Sequence, residues 1–161
     1  MQSLPRRKKI RLDPSAYRQG EVFFVTISTF QRYPWFGTHP ELACKAVQIL
    51  SDLVAERRTG LYAWCIMPNH VHLLVRDEDI VQLVRLFKGR MTPTAHALNP
   101  KRPLWQRSFY DHGLRREESL AEVAKYIWEN PVRAGIVDDP ADYSWSGSAM
   151  WKDWRDFTRR E

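Results

Sequence analysis

Met67-Pro68-Asn69-His70-Val71-His72-Leu73-Leu74-Val75 is the stretch that decides how the rest of this chain reads. Pro68-Asn69 is a turn pair, so the run after it opens a new strand. In a strand, residues i and i+2 share a face. His70 and His72 therefore point the same way, about 7 Å apart along the backbone. Val71, Leu73 and Val75 point the other way, the pattern of a strand with a buried face. Two neutral imidazoles side by side are good ligands for one divalent cation. The plainer alternative is a pair of structural histidines. The H-x-H spacing on a strand after a tight turn favours the metal reading.

Working outward, Leu61 to Met67 is the strand before the turn. Glu21 to Phe30 alternates and forms a first strand, with Phe23, Val25 and Ile27 on one face. Thr38-His39-Pro40-Glu41 has the form of a capping box. Leu42, Ala46, Ile49, Leu50 and Leu53 follow at helical spacing, and Gly60 is expected to end that helix. Asp77-Glu78-Asp79 suits a second helix start, with Ile80, Val84, Phe87 and Met91 as its apolar stripe. Trp105 to His112 reads as a fourth strand. Leu120, Val123, Ala124 and Ile127 mark a third helix, which must stop near Asn130 because Pro131 follows. Trp151, Trp154 and Phe157 suggest a terminal helix docking its apolar side.

The order is β-α-β-β-α-β and then a helix. The expected class is α+β, with a ferredoxin-like split βαβ. An antiparallel sheet carries helices on one face, and an additional C-terminal helix bears a tyrosine. The expected organisation is a basic arm over 1–20, a catalytic domain over 21–148 and a tail over 149–161.

A chain of 161 residues is long enough for one domain with a real core. Cys44 and Cys65 form no C-x-x-C and read as reduced core residues of a cytoplasmic protein. No apolar run approaches the ~18 residues that span a bilayer, and no apolar segment follows the basic start as in a secretory signal. The net charge of +6 conceals two basic blocks. Residues 1–20 hold Arg6, Arg7, Lys8, Lys9, Arg11 and Arg18 against Asp13. Residues 85–116 hold Arg85, Lys88, Arg90, Lys101, Arg102, Arg107, Arg115 and Arg116 against Asp111. Basic blocks on an acidic background invite a polyanion. Exposed members of the seven Trp offer stacking surfaces for bases.

Tyr126 sits at the edge of the stripe made by Val123 and Ile127, and Asn130 lies one turn later on the same face. A phenol and an amide so spaced can approach one point. If that point is a metal held by His70 and His72, the site is complete. Tyr110 with His112, on the expected fourth strand, is the alternative pair.

The strand-borne H-U-H (U being apolar) followed by a tyrosine helix resembles the single-tyrosine HUH transposases. "MPNHVHLLV", "WQRSFYDHGLRREE", "YIWENPVRAGIV" and "YSWSGS" occur in the family's order over residues 20 to 148. They look most like the REP-associated tyrosine transposase branch, which shares Asn at the position of Asn130. The resemblance implies that His70, His72 and Asn130 bind Mg²⁺ or Mn²⁺ and that Tyr126 is the nucleophile. It implies cleavage and transfer of single-stranded or hairpin DNA through a 5′-phosphotyrosine, with no nucleotide cofactor and no membrane. The chain is expected to act as a monomer, with a helix-exchanged homodimer as the alternative. Arg6, Arg7, Lys8, Lys9, Arg11, Arg85, Lys88, Arg90, Arg107 and Arg115 are candidate DNA contacts. Two other classes stay open. One is an HUH replication initiator or relaxase. The other is a non-catalytic ferredoxin-like module that binds single-stranded nucleic acid.

Overall fold

The computed structural model describes residues 21–115 and 119–158. Arg6, Arg7, Lys8, Lys9 and Arg11 lie outside the described residues. The elements follow the expected order. They are β1 (Val22–Ser28), a short α1 (Trp35–Thr38), α2 (Pro40–Arg57), β2 (Gly60–Met67), β3 (His70–Arg76), α3 (Ile80–Leu98), β4 (Tyr110–Gly113), α4 (Leu120–Trp128), α5 (Asn130–Arg133), β5 (Ser146–Gly147) and α6 (Trp154–Thr158). The sheet order is β4-β1-β3-β2-β5, with every neighbouring pair antiparallel. The first four strands make the split βαβ sheet, and β5 adds an outer edge beside β2.

Alternation along the strands builds two cores. Phe23, Val25, Ile27, Val71, Leu73 and Val75 face α2 and α3, whose Leu42, Leu53, Ile80, Phe87 and Met91 are buried against them. Phe24, Leu74, Ala63 and Cys65 face the other way. Val123, Ala124, Ile127 and Trp128 of α4 cover them. The sheet is therefore covered on both faces, and the tyrosine helix lies on the face opposite α2 and α3. Trp128 Nε1 pins it there by donating to the Gly147 carbonyl at 3.0 Å, and Tyr143, in the segment after α5, donates its Oη to the Ile66 carbonyl on β2 at 2.5 Å. Gly147 is required for this packing, since a Cβ there would stand 2.2 Å from the Trp64 ring.

Several local expectations change for physical reasons. Thr38 closes α1 and makes no side-chain cap, so α2 starts on Pro40, whose missing N–H is harmless at that position. Arg58, not Gly60, takes the left-handed residue after α2 (φ 52°, ψ 38°), and Gly60 opens β2. The fourth strand begins only at Tyr110. Trp105 makes a single bridge to Thr29 and donates its indole N–H to the Lys88 carbonyl. The tyrosine helix ends at Trp128, and Pro131 sits in the first turn of α5 rather than acting as a stop. Asp79 caps α3 through Gln82 N–H as expected. Cys65 is buried, but Cys44 lies on the outer face of α2 and is exposed. In the terminal helix Trp154 is buried whereas Phe157 is 40% exposed, so only part of the expected stripe docks.

Candidate active site

The ladder between β1 and β3 sets the site. Thr26 pairs with His72 and Ser28 with His70, so these four side chains share the α4 face. The imidazole centroids are 4.5 Å apart. Each Nδ1 is engaged: His70 Nδ1 lies 2.7 Å from Asn69 Oδ1, and His72 Nδ1 lies 2.9 Å from Thr26 Oγ1. The Nε2 atoms are turned away from these partners, and His70 Nε2 meets only the Asn130 amide, as in metal-binding histidines held by outer partners. Burial, with Arg32 adding to it, lowers the His70 pKa to about 4. Burial pushes His72 well below its usual value too, helped by His70, Arg133 and Arg32. Both rings are thus neutral near pH 7, the form that binds metals.

The structure brings the sequence-selected residues of α4 and α5 to this pair. The Asn130 amide lies 3.4 Å from His70 Nε2. Turning that amide over presents Oδ1 to the same point. Tyr126, Asn130, His72, Thr26 and Tyr110 line one cavity of about 290 Å³. The Phe24 ring stands between the two chemistries, 5.2 Å from the His72 ring and 6.4 Å from the Tyr126 ring. Among the described residues, the Tyr126 hydroxyl has no hydrogen-bond partner. No cluster of three His, Cys, Asp or Glu forms there either. Among the described residues, a third ligand beside the histidines would have to be a side chain other than His, Cys, Asp or Glu, and the Asn130 amide is placed to serve.

Two charged cavity residues escaped sequence reasoning. Arg133 lies over the Tyr126 ring at 3.9 Å, donates to the Tyr126 carbonyl at 2.6 Å and approaches Glu129 at 3.7 Å. Its position seven residues after Tyr126 was the available signal. Arg32 enters from the loop after β1, where nothing in the local sequence marks it. Tyr110 lines the same cavity from β4, and the buried His112 beyond it pairs with Phe24 and does not line the cavity.

The basic residues chosen for DNA contact are dispersed. Arg85, Lys88 and Arg90 lie on α3, on the far side of the sheet from the histidines. Arg90 makes a two-point ion pair with Glu56, and Lys88 Nζ donates to the Gln106 carbonyl at 2.7 Å. Arg107 and Arg115 are exposed.

Residues 23–130 match the family model described as "Transposase IS200 like". That match covers well over half of the chain. The chain belongs to the IS200-like transposase family. Among its relatives, the REP-associated tyrosine transposase of Escherichia coli strain K12 is 26% identical over 138 residues, covering 81% of this chain and 78% of that one. A Haemophilus influenzae protein provisionally given the same name is 32% identical over 98 residues, covering 52% of this chain and 56% of that protein. The match thus spans little more than half of the H. influenzae relative. A solved structure described as the REP-associated tyrosine transposase bound to a REP hairpin superposes with a TM-score of 0.65 at 25% identity. It covers 90% of this chain and 82% of the other. This transposase-family chain therefore resembles the REP-associated branch, and the family is one of enzymes. Replication initiators and passive nucleic-acid modules are set aside on this ground. No helix among the described residues is long and apolar enough to cross a membrane.

Proposed function

We propose that the protein cuts and rejoins single-stranded DNA at REP-like hairpins through a 5′-phosphotyrosine on Tyr126. The observation that carries this reading is the placement of the Asn130 amide against His70 Nε2 in the cavity that Tyr126 lines. Nε2 of His70, Nε2 of His72 and the Asn130 amide oxygen would hold a divalent ion, Mg²⁺ or Mn²⁺. Such an ion supplies Lewis-acid polarisation of a phosphate oxygen.

The chain's own residues do the rest. Asn69 and Thr26 hold the imidazoles in orientation. Arg133 steadies the Tyr126 ring and main chain. The Tyr126 oxygen adds to phosphorus as the bond to the 3′ oxygen breaks. The phenolic proton is replaced by the phosphorus bond, and the departing 3′ oxygen gains a proton to become a hydroxyl. A different 3′-hydroxyl attacking the phosphotyrosine reverses these steps and joins a new strand. The phosphodiester is exchanged rather than hydrolysed, so no nucleotide is consumed. The hairpin ligand of the superposed relative supports hairpin DNA as the substrate class.

An end-labelled REP-hairpin oligonucleotide tests the reading. Incubation with Mg²⁺ or Mn²⁺ should release a fragment with a free 3′-hydroxyl, and EDTA should stop the reaction reversibly. Cleavage that persists in EDTA would sink the metal-assisted reading.

A further inference from the structure

We infer that Arg32 binds a non-bridging oxygen of the scissile phosphate. This rests on the phosphotyrosine reading above and names the contact that would recognise the reacting group.

The backbone supplies the first observation. Gln31 (φ 53°) and Arg32 (φ 55°) are consecutive left-handed residues, and neither is glycine. Such backbone is costly and persists only where its surroundings hold it. Here they do. Arg32 N–H donates to the Thr29 carbonyl at 3.1 Å. Thr29 is fully buried; its Oγ1, with one proton to donate, lies within hydrogen-bond reach of the carbonyls of Tyr33 and Asn69, and its backbone N–H donates to the Asn69 carbonyl at 3.0 Å. Asn69 in turn holds His70 Nδ1. The loop that carries Arg32 is therefore tied to the residue that orients His70.

The second observation is charge. Arg32 lines the cavity with Ser28, Thr26, His72, Tyr126 and Arg133. Arg57, Arg90 and Arg133 each face a carboxylate, but the Arg32 guanidinium has neither a carboxylate nor a hydrogen-bond partner among the described residues. No Asp or Glu lines the cavity. Two guanidiniums thus meet there, and of the two only Arg133 faces a carboxylate, that of Glu129; beside them stands a phenol whose hydroxyl has no hydrogen-bond partner among the described residues. An oxygen of a phosphodiester completes this arrangement, and a guanidinium fork matches its geometry. As the phenol oxygen adds to phosphorus and the 3′ oxygen leaves, charge builds on the non-bridging oxygens, and a preplaced cation stabilises it.

The test uses the full chain and a REP-hairpin oligonucleotide whose cut position is mapped with the wild-type protein. A second oligonucleotide carries a methylphosphonate at that position, which removes one non-bridging oxygen and the charge. Arg32→Gln should slow adduct formation on the phosphodiester by about 100-fold, with Arg32→Lys recovering part of the loss. Binding is read in a Tyr126→Phe background, where no cleavage intervenes. There Arg32→Gln should weaken phosphodiester binding by about tenfold and methylphosphonate binding by less than about twofold. Equal weakening on both oligonucleotides would place Arg32 elsewhere on the DNA and overturn the inference. Wild-type adduct formation with no effect of Arg32→Gln would overturn the inference alone. A wild-type protein that forms no adduct would overturn the phosphotyrosine reading and this inference with it.

Discussion

Thr26 Oγ1 stands 2.9 Å from Nδ1 of His72, its direct partner across the β1–β3 ladder. A strand pairing, not a loop, thus orients the imidazole. Asn69 performs the same office for His70. Outer partners of this kind typically govern metal affinity by about 10- to 100-fold. Thr26→Val and Asn69→Ala should each weaken Mn²⁺ binding within that range while leaving thermal unfolding nearly unchanged. Calorimetric titration with Mn²⁺ decides it; unaltered affinity in both variants would mean that the rings need no such support.

The three proposed ligands should not be equivalent. His70→Ala and His72→Ala each remove an imidazole and should abolish strand cleavage, with circular dichroism unchanged because the β1–β3 pairing at both positions runs through the main chain. Asn130→Ala should cost about 10- to 100-fold, since water can take the place of a weak amide ligand. Rates on a hairpin oligonucleotide rank the three; an inactive Asn130→Ala beside an active His70→Ala would contradict the assignment.

Acid stability should report on Asp77, far from the site. Burial raises the pKa of its carboxyl, but hydrogen bonds from Arg57, Thr59 and the Asp79 N–H outweigh that and hold it below the usual carboxylate value. The charged form is therefore favoured by folding. Its contribution is complete above the unfolded pKa of ~3.9 and is lost as pH falls through the lower folded value. Asp77→Asn should cost about 2–3 kcal/mol at pH 7. Urea melts of both proteins should show that gap closing below about pH 4, whereas a gap constant down to pH 2 would contradict the linkage.

Gly147 gives a steric prediction. The Cβ of Gly147→Ala would run into the rigid Trp64 ring and disturb the carbonyl that holds Trp128. Overpacking of this kind costs about 1–3 kcal/mol. Because Trp128 anchors the tyrosine helix, cleavage should fall along with the melting temperature. A fully stable Gly147→Ala protein would show that β5 can move without consequence.

What the sequence discloses here is what depends on local periodicity. The histidine pair, its opposing valine and leucine face, and the Tyr126–Asn130 spacing all follow from alternation and helical pitch. Such patterns say that α4 buries a stripe, not which side of the sheet receives it. Trp128 and Gly147 decide that across 19 residues of chain. The end of α2 was misplaced at Gly60 because Arg58 adopts the left-handed conformation usually given to glycine, while next to it Arg57 and Thr59 bind Asp77. Arg32 was invisible for a similar reason: its approach to the histidines depends on Thr29 and Asn69, brought together only by the β1–β3 pairing.

The identity of the nucleophile is tested most directly by the covalent adduct itself. The protein is incubated with metal and a single-stranded hairpin labelled 3′ of the cut, then denatured and resolved on a gel. Tyr126 should retain the label, because the tyrosine takes the 5′-phosphate. Tyr126→Phe should eliminate the adduct with little loss of hairpin binding, and Tyr110→Phe should still form it. An adduct that survives in Tyr126→Phe but disappears in Tyr110→Phe would contradict the assignment of α4 as the catalytic helix.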